Sequence, residues 1–272
     1  MEHNKLNYQF CFESYGVPVR LESNSREVLD QAIATARKAL LGQAEEIDCG
    51  LAEQVFSLPT HLDGTCSMMQ NGETMVTAEP EMRFWKYFDS LVRILVAEFT
   101  KERIFLHAGV VGWKGKAIIL PGNSFYGKTT FVAELVRRGA DYYSDEYAVL
   151  DADGLVHPFA RPLSIRNDSG TITETPTSVS DLKGTEGEIP LPVGIVFFTQ
   201  HVPESTPNYE YLTTGQGVVE IIAQTIAIRR NTEFAIKVLK KALSSAIIVK
   251  SPRPDAGSFA RNFLEFVDNT AI

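Results

Sequence analysis

The run YQFCFESYGVPVRLES alternates apolar and polar side chains around Gly16, the period of a half-buried β-hairpin. Beyond it Val28, Leu29, Ile33, Ala36 and Leu40 recur at steps of three and four, which predicts an amphipathic helix. Asn24 or Ser25 is placed to cap that helix and Gly42 to end it. Further strands are expected over 54–58 and 65–78, the second folded at Asn71-Gly72. Residues 82–102 read as one long helix with an apolar stripe of Phe84, Tyr87, Leu91, Ile94, Leu95 and Phe99.

From residue 103 the pattern changes to strand, loop, helix, strand. Two apolar runs, IFLHAGVV and AIIL, are joined by 112–116, and the second ends at Pro121-Gly122. A short helix follows with Val132, Leu135 and Val136 on one side and Gly139 as its stop. DYYSDEYAVLDADGLVHPF predicts two strands around an Asp153-Gly154 turn. Residues 167–190 are rich in Ser, Thr and Gly and poor in large apolar side chains, so a mobile loop or lid is expected there. The remainder reads as a buried strand VGIVFFT, two helices across 218–243, a strand AIIVK and a last helix beyond Pro252 and Pro254. The expected organisation is an α+β region over 1–100 and an α/β domain over 101–272.

Composition narrows the function classes. A 44% share of hydrophobic residues suits a globular core. With 26 basic against 34 acidic residues the net charge is −8, which argues against broad binding to nucleic acid or anionic lipid. No apolar run is long enough to span a membrane, and MEHNKLNYQFCF lacks the order of a signal peptide, so a cytoplasmic location is expected. Cys11, Cys49 and Cys66 are odd in number and outside C-x-x-C spacing, and read as reduced, buried thiols.

The chemistry concentrates in PGNSFYGKTT, which fits G-x-x-x-x-G-K-[ST] without a mismatch. A chain of this length meets that pattern by accident about 1% of the time, and the flanking strand and helix lower the chance further. Gly122, Asn123, Ser124, Phe125, Tyr126, Gly127, Lys128, Thr129 and Thr130 are the expected nucleotide-binding residues. In such a loop the backbone N–H groups and the helix N-terminus face the phosphates, Lys128 reaches the β and γ oxygens, and Thr129 joins a Mg²⁺ shell. Phosphoryl transfer also needs a carboxylate for the metal and a base. Asp145 and Glu146 stand where a parallel strand order would bring them beside the loop. Asp151, in D-A-D-G, imitates a GTPase motif, but no N-K-x-D follows and a hairpin turn is the better reading. His107 is the histidine in an apolar strand near the loop, and Arg161, Arg166, Arg229 and Arg230 are candidate phosphate contacts.

Taken together, His107-Ala-Gly, the loop 122–129, Arg137-Arg138-Gly139 and Asp145-Glu146 resemble, in type and separation, the catalytic domain of HPr kinase/phosphorylase. The resemblance covers roughly 103–166. It implies a P-loop fold related to ATP-dependent phosphoenolpyruvate carboxykinase, with ATP and Mg²⁺ as cofactors. It also implies that Asp145 takes the proton of a seryl hydroxyl, that His107 lies close to the reacting phosphate, and that Glu146 serves the metal together with Thr129 and Asp145. The segment R-P-L-S-I-R, and an N-terminal region unlike that of the bacterial regulator, look more like the broad group of HPr-kinase-related proteins. Arg161 is the expected phosphate or substrate contact on that basis. The family's E-x-R-G-x-G signature has no counterpart here, which removes the basis for HPr itself as acceptor. The implied activity is ATP-dependent transfer to a serine of a protein or peptide, with self-association implied by the family's hexamer and the N-terminal region as the substrate-selecting part. The reading from another class is an ATP-binding regulatory sensor that transfers nothing.

Overall fold

The computed structural model describes residues 5–122, 127–166 and 174–270. The chain divides into two compact units, Met1–Glu102 and Arg103–Ile272. In the first, β1 (Tyr8–Ser14) and β2 (Val17–Ser23) form the predicted hairpin, and α1 (Arg26–Ala39) is capped by Ser25, whose hydroxyl accepts from the Val28 N–H. The strands β3 (Glu45–Glu46), β4 (Gln54–Leu58), β5 (Cys66–Gln70) and β6 (Glu73–Glu79) complete a six-stranded sheet of order β3-β1-β2-β4-β5-β6. Helix α2 (Glu81–Phe99) packs with α1 into its core.

Two expectations about this unit are corrected. The buried row of α2 is Phe84, Phe88, Val92, Leu95 and Val96, whereas Tyr87 is 46% and Ile94 42% exposed. The helix is so apolar that a 3.6-residue period fits two neighbouring rows, and tertiary packing chooses between them. Cys11 and Cys49 are not reduced thiols: they form a disulfide, with Cα atoms 5.2 Å apart. Cys11 lies on β1 and Cys49 in a 3₁₀ turn just past β3, so strand pairing brings together what 38 residues of sequence separate. Cys66 stays a free, buried thiol, and burial pushes its pKa up.

The second unit is mixed α/β. Its strands are β7 (Ile104–Trp113), β8 (Lys116–Pro121), β9 (Asp141–Ser144), β10 (Tyr147–Leu150), β11 (Val156–His157), β14 (Val193–His201), β15 (Glu210–Tyr211) and β16 (Ile247–Arg253), with a separate hairpin of β12 (Leu163–Arg166) and β13 (Glu174–Thr177). The large sheet has the order β11-β10-β7-β8-β14-β16-β15, with β9 also on β7. Only β8, β14 and β16 run parallel; β7, β9 and β10 are antiparallel neighbours. Ile118 and Leu120 of β8 share one core with Phe131 of α3 (Lys128–Val136) and Phe259 and Phe263 of α6 (Ala256–Asn269). Ala117 and Ile119 face the other way, toward Ile221 of α4 (Thr214–Ile222) and Leu239 of α5 (Thr232–Leu243). Coverage on both faces explains why AIIL is unbroken by polar residues. No helix among the described residues is long and apolar enough to cross a membrane.

The expected lid over 167–190 is corrected where the chain is described, since 167–173 lie outside it. Val179 and Leu182 are buried in the core, and the following residues lie along β9. The Tyr142 N–H donates to Thr185 O and the Gly187 N–H to Tyr142 O, both at 2.8 Å. The Tyr143 hydroxyl donates to Ile189 O at 2.7 Å. Composition alone missed this strap, because its anchors are backbone groups and two isolated apolar residues. A side chain at Gly187 would collide with the Tyr143 ring. Gly187→Ala is therefore expected to cost about 1–3 kcal/mol in urea denaturation; a cost below about 0.5 kcal/mol, usual for an exposed loop, would contradict the packing.

Candidate active site

Strand pairing assembles this site before side chains contribute. β9 pairs with the far half of β7 up to Ser144 opposite Val110, and β10 resumes with Tyr147 opposite His107. Asp145 and Glu146 thus form a two-residue bend at the level of Ala108 and Gly109, tied by the Ala108 N–H donating to Glu146 O at 3.1 Å. The Ser144 hydroxyl accepts from the Glu146 and Tyr147 N–H groups and fixes the bend further. On the other side of β7, Ala108 faces Pro121, where β8 turns into the glycine loop. Asp145 therefore reaches the loop across an antiparallel strand, not from the parallel neighbour the sequence suggested.

Four of the loop's expected residues, Asn123, Ser124, Phe125 and Tyr126, lie outside the described residues. Its ends are clear. Gly127 caps α3 with φ +75°, the left-handed region that favours glycine. Lys128 opens the helix, and its ammonium donates to the Gly122 carbonyl across the loop. Burial pulls the Lys128 pKa down to about 8, against the opposing pull of Asp145. Burial pushes the Asp145 carboxyl up, partly offset by hydrogen bonds from the Tyr142 hydroxyl, the Thr129 side chain and the Ser164 backbone. The Tyr142 hydroxyl sits 2.6 Å from the Arg161 carbonyl and 3.2 Å from Asp145 Oδ1, so Arg161 takes the larger share of its single proton. His107 is half-buried; burial first, and the Lys128 charge second, lower it to about 4.

Lys128, Thr129, Asp145 and His107 are thus brought together. Arg161 joins through its backbone. Glu146 closes the bend with its own backbone and is not among the groups that hydrogen-bond Asp145. Thr130 lies on the exposed side of the first helical turn. Asp151 is a turn residue: its carboxylate accepts from the Asp153 and Leu155 N–H groups and meets His157 at 2.7 Å.

The donor set suits a triphosphate with Mg²⁺. Thr129 and Asp145 place two hard oxygens within hydrogen-bond reach of each other. Mg²⁺ ordinarily takes one or two protein oxygens and fills its shell with phosphate and water. No cluster of three or more His, Cys, Asp or Glu that would form a closed metal cage occurs among the described residues. A helix N-terminus opening on a glycine with a half-buried ammonium beside it is a site for anionic oxygen.

Two contributors were not legible in the sequence. Tyr142 stands inside an expected strand, where nothing in the neighbouring residues marks its hydroxyl for a site. Arg253 lies between Pro252 and Pro254, ahead of the last expected helix. It is 2% exposed at the carboxyl end of β16, and its guanidinium lies 4.9 Å from the centre of the Phe131 ring. Its Nη2 donates to Gly127 O at 2.7 Å and Nη1 to Pro254 O at 3.2 Å. Burial lowers its pKa to about 10, which leaves it charged at neutral pH. A side chain on residue 127 would collide with this guanidinium, so the loop needs glycine there for space as well as for backbone angle. The available sequence signal was a lone arginine ending a strand beside the loop strand's partner.

No family model matches the chain. No curated protein matches it. Among solved structures it aligns with one described as the HPr(Ser) kinase/phosphatase from Coxiella burnetii, at 13% identity and a TM-score of 0.32, over 61% of this chain and 95% of that one. A likeness that low carries no weight for fold or function.

Two expectations follow from this geometry. The His107 ring should titrate by NMR near pH 4, and Lys128→Met should raise that midpoint while leaving it below the ordinary 6.5, because burial remains. An unmoved midpoint would separate the two side chains. Arg253→Lys keeps the charge but loses the fork and the stacking. It should cost roughly 1.4 kcal/mol in urea denaturation through the lost hydrogen bonding; unchanged stability would remove Arg253 from the loop's support.

Proposed function

We propose that this chain is an ATP-dependent kinase that transfers the terminal phosphate to a serine hydroxyl of a protein or peptide. The observation that carries the reading is the contact set around Asp145: a desolvated carboxylate touching the second residue of the loop helix and electrostatically coupled to Lys128. A base for a hydroxyl needs a proton affinity above that of a free carboxylate and a position beside the phosphate.

In the proposed reaction Asp145 accepts the proton of the serine hydroxyl as its oxygen bonds to phosphorus and the bond to the leaving phosphate oxygen breaks. Lys128 neutralises charge on the phosphate oxygens, and a bound anion restores the proton affinity that burial removed. His107 is uncharged above about pH 4 and acts as a hydrogen-bonding neighbour rather than a cation. Thr129 and Asp145 would hold Mg²⁺, with Glu146 the expected additional ligand. Mg·ATP, when bound, supplies the phosphoryl group and the divalent charge that offsets its oxygens. Arg161 is assigned to the acceptor or its phosphate, and the first unit to acceptor selection. The spacing of these groups in the sequence, which resembles HPr kinase/phosphorylase, is a second support.

The test is transfer from γ-labelled Mg·ATP in lysate of the native host, sorted into protein, peptide and small-molecule fractions. Wild type should label a protein or peptide on serine. Asp145→Asn should bind nucleotide yet transfer at least about a hundredfold more slowly, the usual worth of a general base, and Lys128→Ala should lose binding. Nucleotide binding by wild type without any transfer would replace the kinase with an ATP-binding sensor, and label only in small molecules would contradict the acceptor.

A further inference from the structure

A pocket of about 560 Å³ lies at the carboxyl ends of β8, β14 and β16. It begins at Gly122, the first glycine of the phosphate loop, and extends along Phe198 and Gln200 of β14 to Asn208 and Gln224. Its position follows from the strand order. His107 and the Asp145 bend belong to β7 and β9, on one side of β8, whereas β14 and β16 lie on the other. Asp145 and His107, the groups assigned to the acceptor and the reacting phosphate, are on the β7 side, while Lys128 stands at the loop itself. A triphosphate threaded through the loop with that polarity leaves it on the β14 side, where the pocket opens.

We propose that this pocket seats the base and ribose of the nucleotide. The inference rests on the triphosphate reading of the loop. The volume falls within the range of small-ligand clefts and exceeds what a base and a ribose need. Its chemistry suits an uncharged, polar, flat ligand. Gln200, Asn208 and Gln224 each present an amide, with donors and an acceptor together, as the edge of a base requires. The half-buried Phe198 ring offers an apolar surface to the base. Glu210 supplies a carboxylate of the kind that accepts hydrogen bonds from a ribose diol. Glu220 and Lys250 pair at 3.1 Å, so the remaining lining charge is that of Glu210 and is negative. Further phosphate is disfavoured there, which keeps the triphosphate on the loop and the nucleoside in the pocket.

The experiment compares binding of Mg·ATP and of magnesium with inorganic tripolyphosphate, which has the phosphates and no nucleoside, by calorimetry. Wild type should bind both, ATP more tightly. Asn208→Trp places a large side chain at an exposed lining position and should weaken ATP at least tenfold while leaving tripolyphosphate within twofold. Retained tripolyphosphate binding also shows that the variant is folded. Gln200→Ala, a smaller change at another exposed position, should weaken ATP about threefold with the same selectivity. Equal wild-type affinities, unchanged ATP affinity in both variants, or parallel loss of both ligands in both variants would overturn the pocket assignment while the loop reading stands. Wild type binding neither ligand would remove the loop reading, and the pocket assignment with it.

Discussion

The second unit is organised around two opposite charges, both half-buried, at the end of a glycine loop. Lys128 and Asp145 are both shifted toward neutrality by burial; Asp145 favours the charged form of Lys128, and hydrogen bonds from Tyr142, Thr129 and the Ser164 backbone favour that of Asp145. Such a pair adds little net stability, because desolvation offsets most of the attraction. The surrounding structure must therefore hold the two groups in place. The antiparallel edge of β7 does so on one side by forcing a bend at Asp145 and Glu146, and the Ser144 hydroxyl locks that bend. The aromatic cluster of Phe131, Phe197, Phe259 and Phe263 fixes α3 on the other.

Arg253 adds a second fixed cation without a place in the chemistry. Its guanidinium rests on Phe131 and donates to Gly127 O, and so ties the first turn of the helix to the end of the loop. Gly127 leaves the space that this requires. The loop's last glycine, the first core phenylalanine of the helix and the final residue of β16 are one packing unit, although 126 residues separate Gly127 from Arg253.

Local patterns carried much of this in the sequence. The hairpins at Gly16 and Asn71-Gly72, the strand into the loop and the helix out of it follow from apolar period and turn chemistry, which are properties of neighbouring residues. Strand partners are not. Asp145 was expected beside the loop because a parallel order was assumed, and the structure brings it there through an antiparallel one. The Cys11–Cys49 disulfide, the support from Arg253 and the hydrogen bond from Tyr142 all depend on contacts between distant segments. The strap after Leu182 was taken for a lid because backbone hydrogen bonds, which leave no compositional trace, hold it to β9.

The pairing of Lys128 and Asp145 at a triphosphate is decided by a crystal structure with Mg²⁺ and a non-hydrolysable ATP analogue. The terminal phosphate should lie within hydrogen-bond reach of Lys128 and next to Asp145, with the nucleoside over the carboxyl ends of β14 and β16. A triphosphate with the reverse polarity, or a nucleotide bound away from Gly127 and Lys128, would contradict it.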